Sequence, residues 1–214
     1  MKKKYWLTII LGVMAALLTV SLLFIDKKAV GPNGSEVGFA TLNSSVFEKV
    51  GTSKTWDKVT DITIAAVLAS GVVFAIYGLI QWVKRKKFSK IDWEIRMLGV
   101  VYAVMAVLYV LFEKLLVVNY RPVLEDGALE ASFPSTHTMI AVTVGLTVAL
   151  TLGKYVKNKA ASWVLSGMLV VFVILIAAGR ILAGMHWMTD VLGGLLYGAT
   201  LVSLYANLKR RDNE

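Results

Sequence analysis

The stretch ASWVLSGMLVVFVILIAAGRILAGMHWMTD occupies residues 161–190. Its first part, 161–178, carries no charge and is long enough to cross a hydrocarbon core of ~30 Å as a helix. Directly after it come Arg180, His186 and Asp190. His186 and Asp190 stand four apart, so on a helix they project from one turn. A carboxylate there can accept a hydrogen bond from one imidazole nitrogen and leave the other free as a nucleophile or base. An acid in a bilayer helix is costly and needs a partner, and a contact that only orders the helix end would also meet that need.

The rest of the chain repeats the first half of this pattern. Of 214 residues 57% are hydrophobic and 17% charged, and the mean hydropathy of +0.68 is too high for a domain whose whole surface faces water. Six segments have the length and character of membrane spans: 5–25, 62–83, 95–118, 138–152, 161–178 and 187–208. The fourth is short and is expected to extend at one side through polar residues. The first follows three lysines but exceeds the ~7–15 residue core of a signal peptide, so it is read as a retained helix. The fold expected is all-α, a single polytopic six-helix membrane domain over 1–214, without an internal repeat. The chain has no cysteine, which excludes disulfides, thiolate chemistry and zinc-thiolate sites.

The net charge is +9, from 23 basic and 14 acidic residues. The basic groups sit in short clusters between apolar runs, as topology signals do, and this argues against nucleic acid as a partner. With six crossings, Lys2, Lys3 and Lys4, the 84–90 cluster with Arg85, the Lys154, Lys157 and Lys159 group, and Lys209, Arg210 and Arg211 share one side. The positive-inside rule makes that side, with both termini, cytoplasmic. Trp6, Trp56, Trp82, Trp93, Trp163 and Trp187 all lie near expected helix ends, as interfacial indoles do. Both histidines then face outward. In the outward loop 26–61, Phe39, Leu42, Val46 and Val50 recur at helical spacing beside Asn43, Ser45 and Lys49. This fits an amphipathic helix on the outer leaflet or a small extracellular cap.

Two further clusters fall on the same side as His186. Lys114 and Arg121, seven residues apart, share a face if the third helix continues through Tyr120, and two such cations can bind a dianion such as phosphate. Taken alone, the pair is better accounted for by a snorkelling lysine and an arginine anchoring a helix end. Phe133-Pro134-Ser135-Thr136-His137 precedes the fourth helix, where unpaired backbone N–H groups and the positive dipole end attract anions. Plain capping explains the proline and serine, though not the histidine.

Taken together, Lys-x6-Arg-Pro, Pro-Ser-x-His and Arg-x5-His-x3-Asp, in this order and at one membrane face, closely resemble the three-part signature of the type 2 phosphatidic acid phosphatase superfamily. The resemblance covers Lys114 to Asp190, and the six-helix layout extends it over nearly the whole chain. It implies that His186 attacks phosphorus to form a phosphohistidine, with Asp190 orienting the ring. His137 protonates the leaving oxygen and later activates water. Lys114, Arg121 and Arg180, with Ser135, Thr136 and backbone N–H groups, stabilise charge on the phosphoryl oxygens. It implies no metal and no other cofactor. The chain departs from the family pattern at Gly179, where the family usually has serine, and at Thr136, where it usually has glycine. The first change removes a hydroxyl donor worth ~1 kcal/mol; Thr136 offers its own hydroxyl or N–H in partial compensation.

The expected substrate is a lipid phosphate on the extracellular side of the cell membrane, undecaprenyl diphosphate first, with phosphatidylglycerophosphate and phosphatidic acid as alternatives. The other expected partners are membrane lipids, with no obligate protein partner. The 125–130 acids either exclude other anions or keep the loop solvated. A lipid phosphotransferase, a non-catalytic transporter or scaffold, and a metal site at His137, His186 and Asp190 are the rival readings. Gly194 and Gly198 form a small-xxx-small pair expected to let a neighbouring helix approach near His186.

Overall fold

The computed structural model describes residues 5–125 and 127–209, so Lys2, Lys3, Lys4, Arg210 and Arg211 of the charge pattern lie outside the described residues. The described chain is helical, with isolated bridges in place of sheets. We number the helices α1 Trp6–Phe24, α2 Ala40–Val50, α3 Lys54–Arg85, α4 Trp93–Leu115, α5 Thr136–Tyr155, α6 Lys159–Leu182 and α7 Met188–Lys209. All but α2 are long and apolar enough to cross a membrane.

The spans alternate in direction, so residues 25–53, 116–135 and 183–187 meet at one end of the bundle. Close contacts confirm this: Ser53 N donates to the Ala183 carbonyl at 3.1 Å, and Asn43 Nδ2 to Thr189 Oγ1 at 2.9 Å. Lys84–Lys90, Lys154, Lys157, Lys159 and Lys209 gather at the opposite end. There Trp93 Nε1 donates to the Leu208 carbonyl and Lys154 Nζ meets Glu94 Oε1 at 2.6 Å.

At the centre stands α5, 61% buried within its span where α1 and α6 are 17% buried. Its buried face carries Thr138, Thr143, Thr147 and Thr151. Hydroxyls inside a bundle need partners. Thr147 donates to the Thr143 carbonyl and contacts Tyr102, while Thr151 donates to the Thr147 carbonyl and contacts Tyr205. The glycines of α7 supply the close approach expected of them. A Cβ on Gly194 would lie 2.7 Å from the Ser135 carbonyl oxygen and 2.8 Å from Thr138 Cβ, and one on Gly198 2.6 Å from Val142 Cβ. The last helix therefore presses directly on the first turns of α5.

Several boundaries differ from the sequence expectation. The second span begins at Lys54, not at residue 62. Ser53 caps it by accepting from Trp56 N, and Asp57 lies in its first turn, where a carboxylate complements the dipole. At 32 residues α3 is about 48 Å long, so its polar first turns reach beyond the hydrocarbon. The third span ends in a π turn, Leu111–Leu115, and the chain is extended beyond it. Lys114 and Arg121 accordingly do not share a helical face. The fourth span grows at both ends, to Thr136–Tyr155. In the first loop α2 forms, but it docks through Ala40, Asn43 and Phe47, while Leu42 and Val50 are exposed. Asn43 turns inward because it bonds the Gly38 carbonyl and both Thr189 N and Oγ1. Trp187 is not interfacial: it is buried, packs on Phe47 and donates Nε1 to the Tyr120 carbonyl at 2.7 Å.

Candidate active site

His186 lies in the short link between α6 and α7 and is 3% exposed. Its Nδ1 is 3.1 Å from the Ser132 carbonyl oxygen. A carbonyl can only accept, so Nδ1 carries the hydrogen and Nε2 carries the lone pair. Nε2 is buried and has no protein partner. Burial first, and then the nearby positive groups Arg180, Arg121 and His137, hold this imidazole well below its usual range, so the ring is neutral near pH 7.

Asp190 is fully buried but is not the direct partner of His186. Its Oδ2 is 3.8 Å from Nδ1 and instead accepts from Trp187 N at 2.9 Å, while Oδ1 accepts from Asn119 Nδ2 at 3.2 Å. It reaches back to satisfy an unpaired N–H at the start of α7 and so fixes the residue next to His186. Asn119 also accepts from Gly38 N, tying the first loop to this point.

Arg121 sits on a small hairpin. Arg121 N donates to the Glu130 carbonyl, Ser132 N to the Asn119 carbonyl, and Gly127 takes a positive φ of 80° at the tight turn. The guanidinium pairs with Glu125 and, at 3.3 Å, with Glu130. These acids therefore neutralise an arginine and do more than keep the loop solvated. Arg180, 1% exposed, donates through Nη1 to Asp57 at 2.6 Å and to Thr60 at 3.2 Å. The Nε atoms of both arginines are buried without a partner.

At the start of α5, Ser135 is fully buried and receives a hydrogen bond from Thr138 Oγ1. Its N donates to the Asp190 carbonyl at 2.9 Å, which locks the two helix starts together. Thr136 and His137 are only half-buried, and His137 Nε2 is 3.1 Å from Asp61 Oδ1. Lys114 stands apart on the exposed π turn of α4. His137, His186 and Asp190 do not form a metal-ligand cluster among the described residues.

Asp57, Thr60 and Asp61 contact Arg180 and His137 in this candidate site, although no motif announces them. Their only sequence signal is an i, i+3, i+4 polar face just ahead of an apolar run. Thr60 also bears on Gly179. A Cβ there would lie 2.5 Å from Thr60 Cγ2, so Thr60 fills the space a serine side chain would use, and its hydroxyl oxygen accepts from Arg180 while its hydrogen goes to the Asp57 carbonyl.

Two buried guanidinium N–H groups without partners, beside the free lone pair of a neutral histidine, form an arrangement that can accept a tetrahedral oxyanion and face its central atom with a nucleophile. A family model described as the PAP2 superfamily matches residues 100–214. Phosphatidylglycerophosphatase B of Bacillus subtilis (strain 168) is 32% identical over 90 residues, 40% of this chain and 42% of that protein. The undecaprenyl-diphosphatase of Sulfolobus acidocaldarius is 29% identical over 92 residues, 43% of this chain and 40% of that protein. The chain thus spans less than half the length of either relative. A crystal structure described as the first transmembrane PAP2 type phosphatidylglycerolphosphate phosphatase from Bacillus subtilis shares the fold. It has a TM-score of 0.67, 18% identity, and coverage of 96% of this chain and 97% of that one. With more than half of its length matching the family model, this multi-pass membrane protein belongs to the PAP2 superfamily.

Proposed function

We propose that the protein is a lipid phosphate phosphatase that works through a phosphohistidine at His186. The observation that carries this reading is the pairing of a neutral, buried His186 whose Nδ1–H is held by Ser132 with an Nε2 that has no protein partner. In the first step Nε2 attacks phosphorus, the bond to the leaving oxygen breaks, and His137 supplies that oxygen with a proton. In the second step a water oxygen attacks phosphorus while His137 takes a proton from that water, the P–N bond breaks, and His186 leaves as neutral imidazole with inorganic phosphate released. Arg121, Arg180, and the N–H groups opening α5 stabilise the charge that spreads over the phosphoryl oxygens. Ser135 supports this N-terminus from below and Thr136 borders it. Lys114, exposed on its π turn and apart from these groups, takes no part in this arrangement.

The lysine-rich end of the bundle supports a cytoplasmic placement of both termini and an extracellular site. A site on that face fits undecaprenyl diphosphate, and one relative carries an undecaprenyl-diphosphatase name. Phosphatidylglycerophosphate is the second reading, supported by the name of the Bacillus relative. The deciding experiment is phosphate release in detergent, with chelator and without added metal, from undecaprenyl diphosphate, phosphatidylglycerophosphate and phosphatidic acid. The highest kcat/KM is expected for undecaprenyl diphosphate. No release from any of the three would overturn the phosphatase reading, while a clear preference for phosphatidylglycerophosphate would replace only the substrate. Because the chain has no cysteine, a single Glu48→Cys is expected to react with an impermeant maleimide in intact cells; protection until lysis would invert the topology.

A further inference from the structure

The first two turns of α3 place two carboxylates among the cations of the site. Asp57, Thr60 and Asp61 share one helical face. They differ in what they hold. Asp57 and Thr60 engage Nη1 of a guanidinium that is 1% exposed, a permanent countercharge for a buried cation. Asp61 is 57% exposed, lies 3.8 Å from Arg180 Nη1, and has its shortest contact, 3.1 Å, with His137 Nε2. A carboxylate beside a phosphate site repels the substrate, and Arg180 already has Asp57. The arrangement therefore needs a return at His137.

We propose that Asp61 is a positioning residue for His137: it holds the Nε2–H and stabilises the protonated ring, so that Nδ1 is the atom that gives its proton to the leaving oxygen and later takes one from water. This rests on the phosphatase reading and adds to the three motifs a fourth site segment, Asp57-x-x-Thr60-Asp61 on α3. The proton balance calls for such a group. His137 must enter the first step protonated and leave it neutral. Arg180 from α6, Arg121 from the hairpin and the neighbouring His186 surround it, and the two arginines oppose its charge. Asp61 is the carboxylate in hydrogen-bond contact with the ring, and a charge-assisted bond of this kind favours the imidazolium form. Its exposure connects the ring to bulk water for proton exchange between turnovers.

The test is Asp61→Asn, which keeps an oxygen able to accept Nε2–H and removes only the charge. Lipid phosphate hydrolysis is followed from pH 5 to 9 in purified wild type, Asp61→Asn and Asp61→Glu. Asp61→Asn is expected to lower kcat by roughly 10- to 100-fold with KM unchanged within about threefold, and to move the alkaline limb of kcat to lower pH. Asp61→Glu is expected to recover the wild-type limb and much of the rate. The idea is overturned if Asp61→Asn keeps the wild-type kcat and pH profile, or if KM alone changes, which would make Asp61 only an anion competing with phosphate. Loss of the fold in Asp61→Asn would also overturn it, since that would show a structural role. Inactivity of the wild type toward every lipid phosphate is a separate result, and it strikes the phosphatase reading itself.

Discussion

At the lysine-rich end of the bundle, Glu94 is 4% exposed and meets Lys154 at 2.6 Å, while Asp92 is shared among Arg85, Gln81 and Tyr155. At the other end Arg180 is 1% exposed and Arg121 is paired twice, yet the Nε of each and Nε2 of His186 stay unpartnered. Among the described residues, the buried side-chain atom left over at the lysine-rich end is an acceptor, Glu94 Oε2. Both ends use ion pairs to hold helices together, but among the described residues only the histidine end keeps buried nitrogens without a protein partner. Charge alone does not distinguish the candidate site; what distinguishes it is a set of buried nitrogens left without protein partners.

The comparison breaks most visibly at His186. His186→Ala is expected to reduce phosphate release to background, at least about 1000-fold, with unchanged elution from size exclusion. A variant that stayed active would remove the nucleophile from the proposal. The pH profile sharpens the same point. The imidazole is depressed below its ordinary 6.5 by burial and by cations, so its lone pair persists as pH falls through 6.5. The acid limb of kcat/KM that belongs to His186 should therefore lie below pH 6.5. A limb above that value would mean the ring is not desolvated in the working enzyme.

Arg180→Lys comes next. A lysine keeps the charge but cannot hold Asp57 and Thr60 on one nitrogen while presenting others to phosphate, because it lacks the planar fork. A loss of about 100-fold in kcat/KM is expected, equivalent to ~2.7 kcal/mol of transition-state stabilisation. Equal activity would show that Arg180 acts only as a point charge. Gly194→Leu should follow at roughly tenfold, since even a Cβ would come within 2.7 Å of the Ser135 carbonyl and push α7 from the start of α5. Leu204→Ala, on the same helix but farther from the site, is the control, with activity expected within about twofold. Equal losses from the two would sever the link between close packing and the site.

Much of this site was readable because its chemistry is spaced locally. Arg180, His186 and Asp190 fall within one link and one helix turn, and the residues before His137 announce a helix start. The misplaced parts have physical reasons. Hydropathy carries the third span past Leu115 because Leu116, Val117 and Val118 are apolar, and it does not report where a helix stops hydrogen bonding. Hydropathy starts the second span only after the charged Asp57 and Asp61, although the helix continues through them outside the hydrocarbon. The true partner of His186 is a backbone carbonyl, which every residue possesses, so Ser132 carried no signature. Asn119 meets Asp190 across 71 residues of sequence, a contact set by packing alone.

The smallest expected effect on catalysis lies at the lysine-rich end, and there the order of the effects on stability is informative. Lys154 is 44% exposed in its side chain and Glu94 only 6%. Lys154→Met leaves a buried carboxylate without its ion-pair partner and with only the more distant Lys209 as countercharge, which costs on the order of 2 kcal/mol. Glu94→Gln leaves a half-exposed ammonium that water can solvate, so it should cost less. The double variant has neither problem and should be more stable than Lys154→Met. All three are expected to retain phosphate release within about twofold once folded, as measured beside thermal unfolding in the same detergent. If Glu94→Gln were the more damaging single change, the pair would be held by the lysine's interactions and not by the need to neutralise a buried acid. If any of the three lost catalysis while keeping its fold, the two ends would be coupled, and the division between an end that closes its charges and an end that keeps them open would fail.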